Sequence, residues 1–207
     1  MVALLTSTLA TGEDAALRAM FAARKSVFVD LLKWNLPIAD GKFEIDQFDD
    51  QHARYLILLS DAGNHLASAR LLPTNRPHIL STLFPELCEG AVPSDAASFE
   101  ITRFCIDRSL QAEQRRKVRH QLVTAIVEHA LSDGIRRYTA VTDMAFLQQV
   151  LSFGWECRPL GLPVANKTGM IGALEIGIDA VTPTHLARTG MWSPVPAIGS
   201  LSRRVAA

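Results

Sequence analysis

The sequence predicts one three-layer α/β domain built on a mixed sheet, and three observations carry that reading. Strand-length apolar runs follow one another as a meander in the first half, two long segments have helical spacing, and the second half alternates strand and helix. With 207 residues, 48% of them apolar and 20% charged, the chain is long enough to bury a core and is composed like a globular protein. A single domain is expected over residues 1–188. The last stretch, 189–207, is weakly periodic and contains Pro, Gly and Ser, and is expected to be a flexible tail.

The first long helix is expected from about Glu13 to Leu32, with Thr11 as N-cap and Glu13 and Asp14 at the positive end of the dipole. Leu17, Met20, Phe21, Phe28 and Leu31 form its apolar stripe, and Arg24 falls in the middle of it. An unpaired guanidinium there would be expensive to bury, so Arg24 requires a partner or a ligand. Next comes "GKFEIDQFDD" (41–50), where Glu44, Asp46, Asp49 and Asp50 lie among Phe43, Ile45 and Phe48. A solvated acidic loop would have no use for those apolar residues.

"ARYLILLS" (53–60) reads as a buried strand, "DAGNH" as a turn and "LASARLLP" (66–73) as the returning strand. Alternation places Arg70 on one face with Leu66, Ser68 and Leu72, a second cation among apolar neighbours. "HILSTLFPEL" is read as a short helix carrying Leu80 and Phe84, and "SFEITRFCID" (98–107) as a third strand. Glu100 and Arg103 have opposite parity on that strand. Either it bulges or the two residues do different jobs.

The second long helix carries Val118, Leu122, Ala125, Ile126 and Ala130 on one face and ends at Gly134. Strand "RYTAVTD", helix "MAFLQQVLSF" and strand "ALEIGID" (173–179) complete the order. His129 is read as a core histidine. The basic run Arg115, Arg116, Lys117 and Arg119 is either a solvated face or a docking patch for phosphates or an acidic carrier protein.

Lys plus Arg equal Asp plus Glu at 21 each, so global charge points to neither a nucleic acid nor a membrane. Cys88, Cys105 and Cys157 have no metal-ligand spacing, and their odd number suits a reducing compartment. The N-terminal stretch lacks an early Lys or Arg, no segment approaches the length of a membrane span, and a cytoplasmic location is expected. No HExxH, CxxC, Walker loop or dinucleotide fingerprint is present, so no metal or cofactor is expected.

From spacing alone, Arg24, Arg70 and Arg103 with Glu44, Asp46 and Asp49 are either a structural ion-pair network or a pocket for a zwitterion. In the second case, Phe28 and Trp34 would supply aromatic faces for a cation. The order Arg24, Phe28, Trp34, "EIDQFD", "SARLLPT", Phe84 and "EITRF" resembles the N-acyl-homoserine lactone synthase (autoinducer synthase) family, from about residue 15 to about residue 180. The family's fold is related to the GCN5-type N-acetyltransferases, which implies a mixed, splayed sheet.

The resemblance implies that S-adenosylmethionine, a substrate and not a cofactor, is N-acylated by a fatty acyl thioester. Lactonisation then releases methylthioadenosine. The donor is expected on acyl carrier protein, with acyl-CoA as the alternative. The resemblance assigns Glu100, Arg24, Asp46, Asp49, Arg70 and Arg103 to catalysis, Glu100 being the first candidate for the base. It assigns Arg24, Phe28, Trp34, Glu44, Asp46, Asp49, Arg103 and Phe104 to S-adenosylmethionine.

Phe84, Thr102, Thr142, Met144 and Phe146 are candidates to line the acyl pocket. Arg115, Arg116, Lys117 and Arg119 are candidates for carrier docking. The chain departs from the related acetyltransferases in one respect: "LQAEQRRKVRH" has no glycine where their pyrophosphate loop lies. A general N-acyltransferase with another amine acceptor is the alternative activity, and the missing glycines count against it.

Overall fold

The computed structural model describes residues 2–6, 15–167, 169–194 and 199–200. The expected Thr11 cap and the Glu13–Asp14 first turn lie outside the described residues, as do 195–198 and 201–207 of the expected tail. The elements are β1 (Val2–Thr6), α1 (Ala15–Arg24), β2 (Ile38–Ala39), β3 (Phe43–Glu44), β4 (Arg54–Leu59), β5 (His65–Pro73), α2 (Ile79–Leu83) and β6 (Ser98–Ile106). They continue with α3 (Ala112–Asp133), β7 (Arg137–Asp143), α4 (Met144–Leu151), β8 (Glu156–Pro159), β9 (Val164–Asn166), β10 (Gly169–Gly177), α5 (Thr182–Arg188) and β11 (Gly199–Ser200). The α/β class with a mixed sheet is as the sequence predicts. The chain divides into two compact units, the first from residues 1–70, 103–122 and 194–207, the second from 71–102 and 123–193.

In the first unit, α1 buries Ala16, Met20, Phe21 and Arg24, the i, i+4 spacing of one face. The helix then continues as a π-helix over Lys25–Leu31, where Leu32 N–H donates to the Val27 carbonyl five residues back at 2.9 Å. The wider turn changes the phase of the stripe. Phe28 stays buried, whereas Leu31, which 3.6-residue spacing places beside it, is 52% exposed. The acidic stretch contributes the hairpin β2–β3, whose turn residues Asp40 and Gly41 take φ of 51° and 66°. β4 runs antiparallel to β1 and is joined to β5 by a turn in which Gly63 (φ 80°) closes onto Ser60.

In the second unit, β6 and β7 are parallel and β7, β10 and β8 antiparallel. The β6–β7 register ends where Glu100 faces Thr139, although β7 continues to Asp143. The two strands thus part after three residue pairs. Residues paired across strands share a face. Glu100, Thr139, Val141, Ala173 and Ile171 lie on one face of this sheet, and Tyr138, Thr142, Gly172 and Leu174 on the other. The first face is covered by Leu80, Phe84 and Leu87 of the α2 segment. Asp143 caps α4 by accepting the Phe146 N–H at 2.9 Å, and Met144 and Leu147 of that helix crowd the space a side chain at Gly172 would need.

Candidate functional site

The buried charges of the first unit form a closed ring. Arg24, on the core face of α1, donates Nε to Glu44 at 2.5 Å and its two terminal nitrogens to both oxygens of Asp49 at 2.8 Å. From β5, Arg70 grips Asp46 at 2.6 and 3.1 Å and reaches Asp49 at 2.8 Å. Arg103, on β6, closes the ring by donating to Glu44 at 3.0–3.2 Å and to Asp46 at 2.7 Å. Three guanidinium groups thus alternate with three carboxylates, and the formal charges cancel. Arg24, Glu44, Asp49 and Arg70 are each at most 2% exposed.

Local chain geometry explains how so many charges meet. The hairpin brings Glu44 onto α1, and a turn holds the next two acids: Asp46 N–H donates to Asp49 Oδ2 and Phe48 N–H to Asp46 Oδ1, each at 2.8 Å. Phe48 packs inward, whereas Asp50 is exposed and only caps the His52 N–H. Burial by itself would push the Arg24 guanidinium down, but Asp49 and Glu44 outweigh it and hold it above its ordinary value. Burial likewise opposes ionisation of Asp49, yet Arg24 and Arg70 keep its carboxyl well below the usual range.

Arg103 settles the parity conflict. It takes φ +51° within β6, a left-handed residue that changes the alternation between Glu100 and itself. Its guanidinium lies over Phe28, 5.7 Å from the ring centroid, and Phe28 stacks on Trp34 at 5.0 Å and 23°. The Nε and one terminal nitrogen of Arg103 are committed to the ring. Its other terminal nitrogen takes no hydrogen bond among the described residues. Phe104 follows it, half-buried.

Glu100 does a different job in the second unit. Fully buried, it accepts the backbone N–H groups of Ile79 and Leu80, both at 2.8 Å, at the start of α2. The five acyl-pocket candidates do not form one group. Phe84 packs on the face that carries Glu100, and Thr102 follows Glu100 two residues on. Thr142 lies on the opposite face, where it pairs with Gly172 beside Met144, and Phe146 is half-buried in the same helix. In the basic run, Arg115, Arg116 and Lys117 are exposed on the first turns of α3, whereas Arg119 is half-buried.

Sequence reasoning missed two residues. Tyr55, within a strand read as plain core, donates its phenol O–H to Asp49 Oδ1 at 2.9 Å. The available signal was a buried tyrosine, whose hydroxyl needs a partner. Thr139 is fully buried opposite Glu100, and its hydroxyl has no hydrogen-bond partner among the described residues. Spacing carries no signal for it.

Residues 9–185 match the family model described as autoinducer synthase. An acyl-homoserine-lactone synthase from Agrobacterium fabrum is 30% identical over 196 residues, which cover 92% of each chain. The structure of a CoA-dependent acyl-homoserine lactone synthase, BjaI, with SAM and isopentyl-CoA superposes with a TM-score of 0.83 at 26% identity, over 95% of this chain and 92% of that one. At 14% identity and a TM-score of 0.55, over 84% of this chain and 98% of the other, an acyl-CoA N-acyltransferase from Pseudomonas aeruginosa shares the fold.

Proposed function

Because the chain belongs to the autoinducer synthase family and is an acyltransferase of the acyl-homoserine-lactone synthase type, we propose that it converts S-adenosyl-L-methionine and a fatty acyl thioester into an N-acyl-L-homoserine lactone, methylthioadenosine and the free thiol. The observation that carries the reading is the neutral ring with one donor of Arg103 left over beside the Phe28–Trp34 stack. A methionine sulfonium carries a cation and a carboxylate on one short chain. The aromatic pair suits the sulfonium, and the remaining donor of Arg103 suits the carboxylate. A net-neutral surround discriminates by placement rather than by bulk charge.

In this proposal Arg24, Asp49 and Arg70 hold the ring and do not touch substrate, since Arg24 is bonded to Glu44 and Asp49, Arg70 to Asp46, and Asp49 to Arg24, Tyr55 and the Asp46 N–H. Glu44 and Asp46 fix Arg103, and Phe104 lies next to it. The carboxylate must later attack the carbon beside the sulfonium, so its fixed orientation serves the lactonisation. The α-ammonium must lose a proton before acylation. Glu100 has two possible roles, as that base or as the anchor of α2. The opening where β6 and β7 part after Glu100 is the place proposed for the thioester carbonyl.

The acyl chain is assigned to the Thr142, Met144 and Phe146 group, where most of the candidates gather, with the Phe84–Thr102 face as the second apolar surface. Exposed Arg115, Arg116 and Lys117 suit a phosphate-bearing donor, with acyl carrier protein first and acyl-CoA second. The likeness to a CoA-dependent synthase is what supports acyl-CoA as the alternative. Residues 1–188 are proposed to be one synthase-like domain, supported by a family match over 9–185. Cytoplasmic placement is part of the proposal, and no helix among the described residues is long and apolar enough to cross a membrane.

The test incubates purified protein with S-adenosylmethionine and acyl groups of graded length on both carriers, and measures methylthioadenosine and lactone by mass spectrometry. Release of both products is expected. Thiol release that needs no S-adenosylmethionine would instead identify an N-acyltransferase for a different amine.

A further inference from the structure

Asp49 is bonded through both of its oxygens. Oδ1 accepts from Arg24 and Tyr55 and lies 2.8 Å from an Arg70 nitrogen as an ion pair, and Oδ2 accepts from Arg24 and the Asp46 N–H. Four of these five partner groups belong to the ring itself or to its own turn. The fifth, Tyr55, comes from β4, is fully buried and sits edge-on to Phe21 with ring centroids 5.9 Å apart. That contact fixes the phenol ring, so its O–H has one direction in which to donate.

We propose that Tyr55 is a positioning residue for the S-adenosylmethionine site, whose hydroxyl orients Asp49 and, through Arg70 and Asp46, aims the unspent donor of Arg103. The inference rests on the functional reading above. Without the hydroxyl, Asp49 can pivot toward its arginines, Arg70 follows, and its hold on Asp46 loosens. Asp46 is one of the two carboxylates that hold Arg103. Burial and the neighbouring Asp49 charge both keep the phenol protonated, so it remains a donor throughout the neutral range.

The test compares wild type with Tyr55→Phe, which keeps the ring and its packing, and with Leu56→Ala, a buried change on the same strand that leaves the hydroxyl in place. First, solvent exchange of the arginine Nε–H protons is followed by NMR without substrate. The Tyr55→Phe variant is expected to exchange the Arg103 proton at least fivefold faster, and Leu56→Ala is not. Second, KM for S-adenosylmethionine should rise about five- to tenfold in Tyr55→Phe, with KM for the acyl donor and kcat within twofold.

An unchanged Arg103 exchange rate overturns the proposal. So does a Leu56→Ala variant that raises the S-adenosylmethionine KM as much, because loss of stability would then explain the effect. If the wild type released no methylthioadenosine, the functional reading would fall. The exchange comparison would still decide whether Tyr55 aims Arg103.

Discussion

Replacing Asp49 with Asn changes one atom of the ring and all of its charge balance. Asp49 takes four hydrogen bonds, three at 2.8 Å and one at 2.9 Å, and an ion pair with Arg70 at 2.8 Å. If the Asn oxygen takes the place of Oδ1, its NH2 group points at the second Arg24 donor and at the Asp46 N–H, so donors face donors. Three buried guanidinium groups then share two carboxylates. Breaking a buried ion pair from one side costs about 3–5 kcal/mol, a large share of the roughly 5–15 kcal/mol of a folded domain. For a chain of this size each kcal/mol moves the melting point by about 2–4 °C, which gives a fall of roughly 6–20 °C.

Differential scanning fluorimetry and urea titration at pH 7 measure it, with Asp50→Asn as the exposed control expected within about 0.5 kcal/mol. The Asp49 carboxyl is held below its unfolded value. Its contribution is therefore complete above the ordinary carboxylate pKa near ~4 and lost as pH falls through the lower folded value. The penalty of the variant should thus be flat from about pH 5 to 8. A melting point within about 3 °C of wild type would show that the ring does not hold this unit together.

Two further outcomes follow from the same geometry. In Glu100→Gln, one of the two backbone N–H groups of α2 loses its acceptor, at a cost of about 1.5–3 kcal/mol. Single-turnover methylthioadenosine release should fall at least ~100-fold if Glu100 is the base, and a fall below tenfold with the same stability loss assigns it to anchoring α2. Burial pushes His65 down to about 4, with Asp107 opposing the shift. The unfolded chain therefore binds the extra proton first, and stability falls as pH drops from about 6.5 to 4, by up to about 3 kcal/mol. Urea midpoints of His65→Gln should be flatter across that window, and an equal slope in both proteins would refute the assignment.

The charged half of the site was legible because charge is expensive to bury. Arg24 on an apolar stripe and Arg70 on an apolar strand each announced a missing anion, and the acidic stretch between them supplied it. The geometry that joins them was not legible. The π-turn that separates Phe28 from Leu31 and the positive φ of Arg103 are departures from ideal periods, and pattern arguments assume those periods. Edge strands of two residues, β2 and β3, are too short to show alternation at all. The acyl candidates follow from residue type and position alone, whereas face membership depends on register across strands, which puts Phe84 and Thr142 on opposite sides.

The ring also constrains the order in which the chain can fold. Its links join residues 20, 21, 24 and 25 apart, until Arg103 closes it over separations of 57 and 59. Contacts so distant in sequence form only after the intervening loop has been closed, which is slow. During synthesis the chain through β5 holds three of the carboxylates and two of the arginines, an excess of one negative charge. This first unit therefore waits for Arg103, 30 residues past the end of β5, before its interior is electrically balanced. A chain arrested just before β6 should leave Glu44 with Arg24 alone and Asp46 with Arg70 alone, one carboxylate in excess of the arginines, which disfavours premature collapse of α1 onto the hairpin.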